Sequence, residues 1–129
     1  MTLQKKIIIA DDDPGIQDVA KLIFERANYI VDIFPNGDPL LNGNFDLPDL
    51  FILDRQLSGV DGLDICRHLK ACEETSHIPI IIISASPQIG KMATMAGADA
   101  FVEKPFKMRD FRELVRRVIE NDGLSLRQN

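Results

Sequence analysis

The sequence predicts an α/β domain in which a single parallel sheet of five strands carries helices on both faces. Three observations lead there. Short continuous apolar runs bounded by turn residues recur along the chain, segments with helical spacing of apolar residues separate them, and cap and turn residues fall at the joints. A strand that is apolar at consecutive positions must bury both faces, which is the condition of a parallel sheet covered by helices.

The first strand is Ile7-Ile8-Ile9-Ala10. Asp13 followed by Pro14 then opens a helix: the carboxylate accepts from a free N–H of the first turn, and proline lacks an N–H that would otherwise be left unpaired. Ile16, Val19, Ala20, Ile23, Phe24 and Ala27 line one face of that helix. Ile30-Val31-Asp32-Ile33-Phe34 is the second strand, followed by a short, weakly marked helix from Asp38 to Leu41. Leu50-Phe51-Ile52-Leu53 is the third strand, and Leu63, Cys66 and Leu69 mark the helix after it. Ile80 to Ile83 forms the fourth, followed by a short helical stretch within residues 88–96 that Gly97 ends. Ala100-Phe101-Val102 is the fifth, before a last helix with Phe111, Leu114, Val115, Val118 and Ile119 on one side. Lys107 stands where a capping Asp or Ser belongs, so the first turn of that helix is expected to start loosely.

At 129 residues, 45% hydrophobic and 27% charged, the chain has the size and mixture of one globular domain. We expect a single domain over 1–129, with a core of about residues 5–121 and a polar tail or linker stump over 122–129. The longest apolar runs are far shorter than the roughly 20 residues that span a bilayer. The N-terminus has no secretory signal pattern, so no membrane association and a cytoplasmic location are expected. A net charge of -5 and no Lys/Arg stripe argue against direct nucleic acid binding by this domain. Cys66 and Cys72, six positions apart on one helix, read as reduced thiols, and no zinc site is expected from them with His68 and His77.

In an open parallel sheet, ligands bind beyond the carboxyl ends of the strands. The residues that carry chemistry fall there. Asp11, Asp12 and Asp13 follow strand one, Asp54 closes strand three, Ser84 closes strand four, and Lys104-Pro105 follows strand five. Singly, each has a bland role as turn residue, cap, loop hydroxyl or surface charge. Together, the carboxylates repel one another and call for a hard divalent cation; magnesium (Mg2+) suits a site that retains waters and shares a phosphoryl oxygen.

These markers, with Gly-Val-Asp-Gly at 59–62, Ile-Ser-Ala at 83–85, Gly97-Ala98-Asp99 and Lys104-Pro105-Phe106, make the chain resemble the response-regulator receiver family of two-component signalling over about residues 5–121. The resemblance implies a flavodoxin-like (βα)5 fold with strand order 2-1-3-4-5. It implies a switch that takes a phosphoryl group from a histidine kinase or histidine phosphotransfer protein onto Asp54 and slowly releases it, rather than an enzyme turning over substrate. By the same resemblance, magnesium is held by Asp11, Asp12, Asp54 and the Gln56 backbone carbonyl. Ser84 is the switch hydroxyl, Phe101 the switch aromatic, and Lys104 the phosphate-pairing cation, joined to Pro105 by a cis peptide bond.

The sequence also departs from the family. Phe101 replaces the commoner tyrosine, and a ring with no hydroxyl to satisfy is expected to populate the inward position appreciably even without phosphate. Ser58 replaces a usual proline, which is expected to loosen the turn after Asp54. The stretch from Ser84 to Phe101 is short, so the fourth helix is expected to be stunted or displaced. Two other classes compete: a haloacid-dehalogenase-like phosphatase using Asp11 and Asp13, and a pseudo-receiver that binds partners without phosphorylation. The first leaves Asp54 without a task; the second leaves a full set of phosphorylation residues unused.

Overall fold

Side-chain alternation along the strands decides which helix lies on which face. In the computed structural model, which describes residues 4–122, the central strands run β1 (Lys6–Ala10), β3 (Leu50–Asp54) and β6 (Ile80–Ser84), flanked by the edge strands β2 (Ile30–Phe34) and β7 (Ala100–Glu103). All pairings are parallel and the order is β2-β1-β3-β6-β7, which is the expected 2-1-3-4-5 counted over the five sheet strands. Ile7, Ile9, Leu50, Ile52, Ile81 and Ile83 point to one side, against Ala20 and Phe24 of α1 (Pro14–Arg26) and Phe111 and Val115 of α5 (Met108–Arg117). Ile8, Ala10, Phe51, Leu53, Ile80 and Ile82 point to the other. There they meet Leu40 of α2 (Asp38–Leu41), Leu63, Ile65, Cys66 and Leu69 of α3 (Gly62–Ala71), and Ile89 and Ala93 of α4 (Ile89–Met95). Each buried Ile or Leu contributes about 1.5–3 kcal/mol relative to exposure, so the doubly apolar runs hold the sheet between two helical layers.

The caps follow the sequence. Asp13 accepts from the Gly15 N–H at 2.8 Å and Pro14 occupies the first turn of α1. Gly97, at φ 94°, takes the left-handed conformation past the end of α4. Lys107 precedes α5 without a side-chain cap, as expected. The fourth helix is indeed short, seven residues with no side-chain cap at Gln88. The polar tail from residue 123 onward lies outside the described residues.

Two features were not anticipated. A small hairpin, β4 (Gln56–Leu57) paired with β5 (Val60–Asp61), follows β3, closed by Ser58 and Gly59 with Gly59 at φ 84°. The turn that Ser58 was expected to loosen is therefore a closed connection. The Gly97-Ala98-Asp99 marker is also structural. The Asp99 carboxylate accepts from the Ile80 N–H and from Lys70 Nζ, each at 2.9 Å, tying the start of β6 to α3.

Candidate functional site

Parallel strands in register bring their carboxyl ends to one edge, where Ala10 pairs with Leu53, Asp54 with Ile83 and Ser84 with Glu103. The residues just beyond converge. Asp54, 5% exposed, receives Lys104 Nζ on Oδ2 at 2.9 Å and the Gln56 N–H on Oδ1 at 3.0 Å. Asp11 is fully buried; its Oδ1 accepts from the Asp13 N–H at 2.9 Å, and its Oδ2 has no hydrogen-bond partner. Asp12 is exposed, and its Oδ2 accepts from the Ser58 hydroxyl at 3.2 Å. Asp11, Asp12 and Asp54 each present one carboxylate oxygen, and all three lie within 4.8 Å of one another. Gly62 packs so tightly on the Asp54 carbonyl that a Cβ there would overlap it, which explains the glycine at the start of α3.

The electrostatics follow from this crowding. Burial pushes the Asp11 carboxyl up to about 6; the Asp54 and Asp12 charges add to the rise, while the Asp13 N–H and Lys104 oppose it. For Lys104, burial works against the charged form, but the hydrogen bond and charge of Asp54 outweigh it and the ammonium is held above its ordinary range. One ammonium among three carboxylates leaves a net negative pocket. A buried carboxylate oxygen without a partner beside two further carboxylate oxygens is what a hard cation with oxygen ligands relieves, so the residues present fit a divalent metal.

Asp11, Asp12, Asp54 and Lys104 thus meet as the sequence predicts, and Lys104-Pro105 is cis. Asp13 stands apart as the cap of α1, its carboxylate committed to Gly15. Ser84 closes the adjacent strand and is 3% exposed; its Oγ accepts from the Ser86 N–H at 3.0 Å. Phe101, the expected switch aromatic, has its ring on the outside in this structure. It is 48% exposed and lies across Gly90 of α4, whose missing side chain makes room for it: a Cβ there would sit 2.9 Å from the ring's Cζ. His68 of α3 and Cys72, the extended residue that ends it, bring Nε2 and Sγ to 3.7 Å from each other. Cys66 is buried, its thiol pushed up to about 11 by that burial. Two supporting contacts had no sequence signal: the Ser58 bond to Asp12, and the Gln17 side-chain amide donating to the Asp11 carbonyl at 2.5 Å.

Comparison with known proteins places this geometry. Residues 7–116 match the family described as response regulator receiver domain. The chain is 32% identical over 120 residues to the DNA-binding response regulator MtrA of Mycolicibacterium smegmatis, covering 91% of this chain and 50% of that protein. It spans about half the length of the curated relatives it matches. Among solved structures, the response regulator receiver domain protein (CheY-like) of Methanospirillum hungatei superposes with a TM-score of 0.80 at 28% identity, covering 92% of this chain and 95% of that one. The receiver domain of sensor histidine kinase PA1611 from Pseudomonas aeruginosa, solved with magnesium coordinated in its active site cleft, superposes with a TM-score of 0.82 at 23% identity, over 92% of this chain and 100% of that one. A phosphatase of the haloacid-dehalogenase kind is set aside by the family match and by the capping role of Asp13. By its sequence and by the arrangement of its strand-end carboxylates, the chain belongs to the response regulator receiver domain family.

Proposed function

We propose that Asp54 is the phosphoacceptor of a magnesium-dependent switch, with a histidine kinase or histidine phosphotransfer protein as donor. The observation that carries this is the Asp54 carboxylate, almost fully buried, ion-paired to Lys104 at 2.9 Å and set among two further carboxylates, one with an unpartnered oxygen. Asp11, Asp12, Asp54 and the Gln56 carbonyl would hold the magnesium, which when bound neutralises the gathered negative charge and orients phosphoryl oxygens. Such carboxylates are poor nucleophiles toward a charged phosphoryl group unless that charge is offset, and Lys104 supplies a further part of the offset.

In the transfer, one Asp54 oxygen forms the new O–P bond as the P–N bond to the donor histidine breaks, and the electron pair returns to the imidazole nitrogen, which takes up a proton. Lys104 then pairs with the phosphoryl oxygens. Ser84 accepts from Ser86, so its own proton stays free to donate to the same oxygens, and Ser84 and Phe101 share a sheet face through which the change reaches α4. The net charge of -5 favours protein partners over direct nucleic acid contact, and we place this signalling in the cytoplasm.

The test is a titration with magnesium followed by acetyl phosphate. Backbone signals at 11–12, 54 and 56 should move with millimolar metal, and phosphate should then be taken up. A pseudo-receiver would show neither.

A further inference from the structure

The Ser58 hydroxyl sits on the tip of the β4–β5 hairpin and donates to Asp12 Oδ2 at 3.2 Å, across 46 residues of sequence. It therefore joins the two loops that carry the acidic cluster. One is the β1–α1 loop with Asp11 and Asp12; the other leaves Asp54 through Gln56, whose N–H binds Asp54 Oδ1. Asp12 is the exposed member of the cluster, so little packing fixes its side chain. Yet while it holds the Ser58 bond, its carboxylate is already within 4.8 Å of those of Asp11 and Asp54. The bond holds Asp12 in the gathered arrangement instead of drawing it away. A donor hydroxyl also withdraws part of the carboxylate charge from its neighbours and spares a mobile side chain the entropy of ordering.

We infer that Ser58 is a positioning residue for the cation site, preorganising Asp12 for magnesium. The inference rests on the magnesium reading above. Proline fits the turn at 58, because Ser58 has no positive φ and Gly59 at φ 84° takes the left-handed position. Ser58→Pro thus keeps or stiffens the turn while removing the hydroxyl, whereas Ser58→Thr keeps it. The full chain and the variants Ser58→Ala, Ser58→Pro and Ser58→Thr are titrated with magnesium alone, followed by backbone amide shifts at 12, 54 and 56. The hydroxyl account expects the Kd to rise about fivefold in Ser58→Ala and in Ser58→Pro, below the usual range for removing an outer partner of a metal ligand because this one is exposed, and to stay within about twofold of the parent in Ser58→Thr. Parent-like or tighter binding by Ser58→Ala, or recovery of affinity in Ser58→Pro, overturns the role of the hydroxyl. Failure of the parent itself to bind magnesium overturns the metal reading, and the inference with it.

Discussion

At the ends of β1 and β3 the acidic side chains are buried or tied down, Asp54 by Lys104 and Gln56, Asp11 by Asp13, and Asp12 by Ser58. At the ends of β6 and β7 the side chains are held more loosely: the Ser84 hydroxyl accepts from Ser86, two residues along its own loop, α4 has seven residues and no side-chain cap, and Phe101 lies half exposed over Gly90. The difference matters for a switch. A group that receives phosphate must be held where charge is managed before the reaction, whereas a surface that reports the reaction needs an alternative arrangement of small free-energy difference.

The comparison breaks most sharply at Asp54. Asp54→Asn should reduce phosphate uptake from acetyl phosphate to background while leaving the fold intact, as read by labelling and by amide dispersion. Lys104→Ala comes next. Magnesium should still bind, but the variant should lose the phosphate-driven shift of Ser84 and of α4, because the ammonium that pairs with Asp54, and that we propose pairs with the phosphoryl oxygens, is gone. An undiminished shift would place the coupling elsewhere.

The strain of the acidic end is measurable through pH. Asp11 holds its proton up to about 6, above the ordinary carboxylate range near 4, so without metal its contribution favours the fold fully below that ordinary range and is lost as pH rises through 6. Asp11→Asn should therefore stabilise the metal-free domain at pH 7 by on the order of 1–2 kcal/mol, and flatten that part of the pH dependence in urea unfolding. Equal stability of variant and parent at pH 7 would mean that the cluster is already relieved.

The smallest effect belongs to the loose side. Gly90→Ala places a methyl 2.9 Å from the Phe101 ring, which must move. Shift changes should stay within α4 and β7, with a stability change under about 1 kcal/mol, since the helix gains from alanine what the ring contact loses. Changes reaching Asp54 would show that the two regions are more tightly joined than their packing suggests.

The same contrast separates what the sequence reveals from what it conceals. Ile7 to Ala10, Leu50 to Leu53 and Ile80 to Ile83 announce themselves because burial on both faces leaves a continuous apolar run, and parallel pairing then carries Asp11, Asp54 and Ser84 to one edge. Lys104 follows from the same register. The Ser58 bond to Asp12 has no local pattern, since it depends on how a hairpin tip folds over a loop 46 residues away. The outward placing of Phe101 has no local pattern either, since its ring lies across a glycine on another element.

Reduction of the phosphorylated chain with borohydride tests the central claim most directly, because an acyl phosphate is cleaved to the alcohol at the carbon that carried it. After acetyl phosphate and magnesium, peptide mass mapping should find Asp54 converted to homoserine and Asp11, Asp12 and Asp13 unchanged. Conversion at Asp11, or no conversion at any aspartate despite phosphate uptake, would contradict the account.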